Sequence, residues 1–221
     1  MMKLTKLLLT LAFLMLLVPA CGHDDHDHDH DDHGHDDHGH DHEGHDHDPN
    51  EVMTTLKLSF VPAGGGDALE FSWADPEGDG DPVIDPILLT EGESYAVTIQ
   101  ILNELEMPAE DVTIELRDEL EEHQFFFTGD AVSSPAQENE SAIITQAYAD
   151  MDSEGFPVGL SNTIEATTAG MGSLTIMLRH MPEVNGNIVK NDQLAELVKN
   201  GQTDELPGNV DIEITFEVTV Q

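Results

Sequence analysis

Histidine and aspartate alternate through one segment near the N-terminus, and both residue types bind metal ions. Residues 22–48 contain 11 of the 13 histidines of the chain, together with 12 acidic residues and 4 glycines. Neutral imidazole is the commonest protein ligand for divalent transition metals, and carboxylates add oxygen ligands and neutralise the ion. Alternation such as His26-Asp27-His28 offers several ligands to one ion without a preformed fold. The eleven histidines are His23, His26, His28, His30, His33, His35, His38, His40, His42, His45 and His47.

This histidine–aspartate tail, residues 22–48, predicts binding of several labile ions. The ligand types favour zinc, with copper(II) and nickel as alternatives. The tail has no apolar side chain to bury, so the sequence predicts that it is disordered and extends to about 90 Å at most. Neighbouring carboxylates raise the pKa of an imidazole, so metal capture is expected to weaken as the pH falls. The alternative interpretation is a solubilising acidic spacer.

Two further histidines, His123 and His180, stand at the ends of two alternating apolar rows. His123 shares strand parity with Phe125 and Phe127, and it follows an acidic cluster, Glu119, Glu121 and Glu122. His180 shares parity with Leu174, Ile176 and Leu178. If the two strand ends meet, both histidines and a nearby carboxylate form a defined metal site. The alternative is a pair of half-buried histidines that are hydrogen-bonded to the backbone.

An acidic loop at residues 75–81 resembles the first half of a calcium-binding loop. Asp75, Glu77, Asp79 and Asp81 alternate, and Gly80 stands sixth, where such loops turn sharply. The twelfth position, where a bidentate glutamate is expected, is Pro86. Calcium is therefore a candidate ligand of these four residues, and a solvated hairpin loop is the alternative.

The charge and the motifs exclude several classes of function. Acidic side chains outnumber basic ones by 46 to 7, which gives a formal net charge of −39 and predicts that the chain does not bind nucleic acid. A single cysteine rules out an internal disulfide and multi-cysteine metal sites. The chain has no Gly-x-Ser-x-Gly elbow, phosphate-binding glycine loop or His-Glu-x-x-His motif, so we expect no enzymatic activity.

The first twenty residues have the features of an export signal. Lys3 and Lys6 precede an apolar run at residues 7–18, which is too short for a permanent membrane span. The sequence Val18-Pro19-Ala20-Cys21 resembles the lipobox of bacterial lipoproteins. That resemblance implies cleavage before Cys21, lipidation of the cysteine (diacylglyceryl and a fatty acyl group such as palmitate) and anchoring to a cell-envelope membrane.

The pattern predicts three parts: a signal peptide at residues 1–20, the lipidated cysteine and tail at residues 21–48, and one β domain at residues 49–221. Apolar and polar residues alternate strictly from Val210 to Gln221, which is typical of a strand with one buried face. We predict a single antiparallel immunoglobulin-like β-sandwich with one or two short helices, at 108–122 and 192–200. The other predicted strands are 56–60, 69–73, 95–101, 123–127, 142–148, 162–167 and 174–178.

The domain also resembles a group of uncharacterised lipoproteins of Bacteroidota. The similar stretches are Gly64-Gly65-Gly66, Asp79-Gly80, Pro108-Ala109-Glu110-Asp111, Glu122-His123-Gln124-Phe125-Phe126 and Leu178-Arg179-His180. In those bacteria, acidic residues just after the lipidated cysteine accompany export to the outer face of the outer membrane, and Asp24 and Asp25 fit that pattern. The resemblance implies an outer-membrane location and carries no activity across.

Two functions from different classes remain open at this level. In the first, the protein is a lipid-anchored metal binder whose tail collects ions for an outer-membrane metal transporter or sequesters a toxic excess. In the second, the domain is a non-catalytic adhesion or ligand-binding sandwich, with the tail as a charged spacer and calcium as a stabilising ion. Replacing the tail histidines with asparagine separates the two, because only the first predicts the loss of metal-dependent effects.

Overall fold

The computed structural model of the chain describes residues 52–221, which fall within one compact unit. These residues form a mainly β structure of two sheets with two short helices and one 3₁₀ turn, Thr203–Glu205. The strands are β1 (Thr55–Pro62), β2 (Leu69–Ala74), β3 (Val83–Ile84), β4 (Ile87–Leu89), β5 (Ser94–Asn103), β6 (Glu110–Asp111), β7 (His123–Thr128), β8 (Val132–Ser133), β9 (Ile144–Tyr148), β10 (Ser161–Ala166), β11 (Gly170–His180) and β12 (Asn209–Val220). The helices are α1 (Thr113–Asp118) and α2 (Leu194–Lys199).

The strands are divided between a larger and a smaller sheet. The larger sheet has the order β3-β2-β1-β5-β10-β9-β8, and β6 pairs with β5 beside this path. The smaller sheet has the order β4-β12-β11-β7. Most neighbouring strands are antiparallel, but β8 pairs with β9 and β4 pairs with β12 in parallel. The prediction of a purely antiparallel fold is therefore wrong at these two short strands, which are too brief to show a pattern in the sequence.

The inner faces of both sheets contribute to one hydrophobic core. In β5 the buried residues alternate with exposed ones, and Val97, Ile99 and Ile101 are almost completely buried. In β12 the same period of two buries Ile214 and Phe216. Because burying a large apolar side chain stabilises a fold by about 1.5–3 kcal/mol, these rows define which face of each strand turns inward.

A second, smaller apolar cluster covers the outer face of the smaller sheet. Phe126 and Met177 point away from the main core and pack with Leu194 and Val198 of α2. The guanidinium group of Arg179 binds the chain after α2. It donates hydrogen bonds to the backbone oxygens of Leu206, Pro207 and Gly208. The segment between β11 and β12 is thereby held against the sheet.

The helix prediction is correct for α2 and wrong in extent for α1. The predicted helix at 108–122 is reduced to Thr113–Asp118, because Glu110 and Asp111 pair with β5 as strand β6 and the chain turns after Asp118. Val112 and Leu116, which carried the helical period, are both buried in the main core. Neither helix in the described part of the chain has the length and apolar character needed to cross a bilayer.

Candidate metal site

The antiparallel pairing of β7 and β11 places His123 directly opposite His180. Their imidazole rings are stacked, with centroids 4.5 Å apart and an angle of 16° between the planes. The five cross-strand pairs that follow, from Arg179–Gln124 to Thr175–Thr128, fix this register. Since Phe125, Phe127, Ile176 and Leu178 are inward-facing core residues, a slip of one residue in either strand would turn the histidine of that strand to the other face. Core packing therefore holds the two rings together.

The surroundings of His123 indicate which of its ring nitrogens carries the proton. The side chain is fully buried, and its Nδ1 lies 3.0 Å from the backbone oxygen of Glu119. A carbonyl oxygen only accepts hydrogen bonds, so Nδ1 must carry the proton. In the neutral imidazole Nε2 then bears the lone pair, which is the arrangement of metal-binding histidines whose other nitrogen is held by a carbonyl.

Carboxylates of the turn between α1 and β7 lie beside the two rings. Three potential ligand atoms, one from each of Glu119, His123 and His180, lie within 4.8 Å of one another. Within residues 52–221 this is the one group of three metal-binding side chains that meets this separation. Oε2 of Glu122 is 3.5 Å from Nε2 of His180 and adds a second carboxylate at the edge of the group. Glu121 is turned away, since its Oε1 accepts a hydrogen bond from Ser153 at 2.6 Å. The acidic cluster before His123 thus divides between this group and a neighbouring loop.

Two imidazoles and one carboxylate form a ligand set suited to a divalent transition ion. Zinc takes this set in tetrahedral sites, and copper(II) and nickel also accept imidazole nitrogen. The lone pair of an imidazole lies in the ring plane, so two near-parallel rings do not point at one ion. Coordination by both rings requires His180 to tilt, and its side chain is 16% exposed whereas His123 is fully buried.

A bulge in β12 shapes the other side of His180. The pairing of β11 with β12 shifts between Leu178 and Arg179, which leaves Asp211 as the extra residue next to the histidine. Partial desolvation raises the pKa of the Asp211 carboxyl although the residue is exposed, while the nearby His180 and Arg179 act in the opposite direction. Gly208, at φ +71°, approaches so closely that an added Cβ would lie 1.8 Å from the His180 carbonyl oxygen. The close approach of the chain to His180 therefore requires glycine.

The acidic loop at 75–81 has a different local structure. Both oxygens of the buried Asp75 carboxylate accept backbone hydrogen bonds within the loop, from Asp79 at 3.1 Å and from Gly80 at 2.8 Å. The side chains of Glu77, Asp79 and Asp81 are exposed. Within residues 52–221 these four carboxylates do not form a group of three that meets the 4.8 Å separation. Calcium binding here stays a prediction.

The remaining predicted site residues lie outside the described part of the chain. These are the signal peptide, Cys21 with its predicted lipid, and all eleven tail histidines from His23 to His47. Their roles stay predictions from the sequence.

Comparison with known proteins gives no relative to transfer a function from. No protein-family model, curated protein sequence or solved structure matches the chain significantly.

Proposed function

We propose that this protein is a lipid-anchored cell-envelope protein that binds a divalent transition metal, zinc in the first place. In this proposal Cys21 carries the anchor, and the tail at residues 22–48 collects ions through labile histidine and aspartate ligands. The domain holds one ion at the histidine cluster, which consists of Glu119, His123 and His180. The domain is taken to be an immunoglobulin-like β-sandwich at the outer membrane. Delivery to an outer-membrane metal transporter and sequestration of excess metal would use the same residues.

One observation carries the proposal for the domain: Glu119 and His123, from one turn, and His180, from a strand distant in sequence, have ligand atoms within 4.8 Å of one another. The second histidine stacked on the first and the acidic turn beside both supply the further ligands that an ion needs. The composition of the tail supports the same chemistry independently, because eleven histidines are not needed for solubility.

Calorimetric titration of two chains with zinc, copper(II) and nickel tests the proposal. Residues 49–221 are expected to fold alone, because the core described above lies wholly within them. We expect residues 49–221 to bind one zinc ion and residues 22–221 to bind several more. A matched control replaces all eleven tail histidines with asparagine, which keeps the carboxylates and should remove the additional ions only.

Each outcome of the titration assigns a role. If residues 49–221 bind no metal, the histidine cluster is structural and the domain part of the proposal fails. If the asparagine-substituted tail binds as many ions as the native tail, its carboxylates bind them and the proposed histidine chemistry fails. If neither chain binds a transition metal, the proposed function is wrong and the tail is a spacer.

A further inference from the structure

A completely buried ammonium group lies behind the turn that carries the histidine cluster. Nζ of Lys190 donates hydrogen bonds to the backbone oxygens of Leu120 at 2.8 Å and His123 at 2.9 Å. It also lies 2.9 Å from Oδ2 of Asp152, and the side chains of Lys190 and Asp152 are both 0% exposed. An ammonium group has three N–H donors: two are used by these carbonyls, and the Asp152 carboxylate forms an ion pair with the group. Lys190 thus joins three segments that are distant in sequence.

The same turn, residues 119–123, is closed by two further backbone contacts. The backbone nitrogen of Glu122 donates to the oxygen of Glu119 at 3.0 Å, and the nitrogen of Met181 donates to the oxygen of Glu122 at 2.6 Å. The Glu119 oxygen is also the acceptor that fixes Nδ1 of His123. Lys190 holds the carbonyls of Leu120 and His123, which follow this acceptor by one and four residues along the chain. The conformation of the turn that carries Glu119 and His123 therefore depends on the ammonium group.

Stability alone is a poor explanation for this buried ion pair. The pKa of Lys190 is lowered, because burial removes water from the charged ammonium group. The contact with Asp152 acts in the opposite direction and raises this pKa. Replacing a buried ion pair with neutral residues of similar size is often neutral or stabilising. A neutral pair of side chains would fill the same space as Lys190 and Asp152. The charged pair is explained if its function is to hold the 119–123 turn in place.

We propose that Lys190 is the positioning residue of this candidate metal site: by holding the 119–123 turn, it keeps the Glu119 carbonyl against Nδ1 of His123 and so keeps the ring in the Nδ1–H form. The proposal rests on the proposed metal-binding function. Lys190 itself does not contact the ion. Its effect is exerted through the backbone of the residues that carry Glu119 and His123, as outer partners of metal ligands usually act.

The variant Lys190→Met with Asp152→Asn tests this inference. It removes both buried charges. In the native domain Oδ1 of Asp152 accepts hydrogen bonds from the backbone nitrogens of Glu154 at 3.1 Å and Phe156 at 2.8 Å, and the amide oxygen of asparagine can accept the same two bonds. The double variant is preferred because Lys190→Met alone would leave the Asp152 carboxylate buried without its partner and unfold the domain. In residues 49–221 we expect zinc affinity to fall about 10- to 100-fold. We also expect the visible spectrum of bound cobalt(II) to lose its tetrahedral intensity.

A second measurement needs no metal. Nitrogen-15 NMR of the histidine rings distinguishes Nδ1–H from Nε2–H, and we expect a single Nδ1–H form of His123 in the native domain. The double variant should show a mixture of both forms. Two controls separate position from stability and charge: Leu194→Ala destabilises the same segment through the second apolar cluster, and Lys199→Met removes an exposed charge paired with Glu196. Neither control should change the His123 tautomer.

Failure of this inference is distinguishable from failure of the proposed function. If the native domain binds no zinc, the domain part of the metal function is wrong, and the tautomer measurement still decides whether Lys190 positions His123. If the folded double variant keeps native zinc affinity and a single tautomer, Lys190 is not a positioning residue. An equal loss of affinity in Leu194→Ala would likewise overturn the proposal, because general destabilisation would then explain the effect.

Discussion

The histidine cluster and the acidic loop at 75–81 hold their candidate ligands in opposite ways. In the loop, Asp75 and Asp79 are close in sequence, and the Asp75 carboxylate is already bonded to the backbone of its own turn. In the cluster, His123 and His180 are far apart in sequence and meet through the register of β7 and β11. The one backbone bond described for the His123 ring uses Nδ1, the nitrogen that does not face an ion in the proposed arrangement.

This difference shows why ligand spacing along the chain is a weak guide to a metal site. A short acidic side chain within a turn competes for the nearest backbone N–H groups, so its oxygens are readily used by the turn itself. An ion entering the 75–81 loop would have to replace two hydrogen bonds of Asp75. At the histidine cluster, entry needs a rotation of His180, whose side chain is partly exposed. We therefore expect transition-metal affinity at the cluster to exceed calcium affinity at the loop.

The largest expected effect is the loss of the proposed zinc site of the domain in His180→Asn. Asparagine keeps a polar side chain at the strand end but lacks the imidazole nitrogen, so the ion loses a direct ligand. Zinc affinity of residues 49–221 should fall by more than the roughly 10- to 100-fold typical of losing an outer partner of a ligand. Calorimetric zinc titration measures the change.

Asp79→Asn is the matched control for His180→Asn, since it changes one candidate ligand of the acidic loop. Its zinc affinity should equal that of the native domain. Equal losses in both variants would mean that zinc binds through general charge attraction, and native affinity in His180→Asn would remove His180 from the site.

The sequence predicted much of the fold and only part of the site. Strict alternation predicted β5 and β12, because the period of two directly records which side chains are buried. The two-residue strands β3, β6 and β8 escaped prediction, since two residues show no period. Strand parity placed His123 and His180 on inward-facing rows, and register then brought them together.

What the sequence did not predict is which groups surround the two histidines. Three glutamates precede His123, and only the fold of the 119–123 turn separates Glu119 and Glu122 from Glu121. Lys190 gave no signal, because a lone lysine in a polar stretch is usually exposed. Its burial results from acceptors on segments distant in sequence, a long-range arrangement that no local pattern records.

A smaller effect is expected when the acidic loop loses its central carboxylate. Asp75→Ala removes the acceptor of two backbone N–H groups in a buried position, so the free energy of unfolding should fall by about 1–3 kcal/mol. Because this carboxylate serves the loop's own backbone, the loss should be the same in EDTA and in millimolar calcium. Urea denaturation of residues 49–221 under both conditions measures it.

Glu77→Ala serves as the control for Asp75→Ala, because Glu77 is an exposed carboxylate of the same loop. Its free energy of unfolding should change by no more than about 0.5 kcal/mol. A loss in Asp75→Ala that appears only with calcium present would reverse the comparison and make the loop an ion site.

The smallest effect concerns the hydroxyl group that holds β7 next to the cluster. Tyr148 donates a hydrogen bond to the Phe125 backbone oxygen at 2.7 Å, so Tyr148→Phe should lower the free energy of unfolding by about 0.5–1.5 kcal/mol near neutral pH. Burial raises the pKa of Tyr148 to about 12, whereas an unfolded tyrosine has a pKa of about 10. The native state therefore keeps its proton longer than the unfolded chain does.

The raised pKa of Tyr148 determines how its contribution to the free energy of unfolding changes with pH. The stability that Tyr148 contributes is complete below about pH 10 and is lost as the pH rises toward 12. Denaturation curves of the native domain and Tyr148→Phe should converge over that window, and the phenolate absorbance that titrates near pH 12 should be missing in the variant. Curves that stay parallel would show that the hydroxyl is ionised equally in both states. The register of β7, and with it the His123–His180 pair, would then depend on core packing without this hydrogen bond.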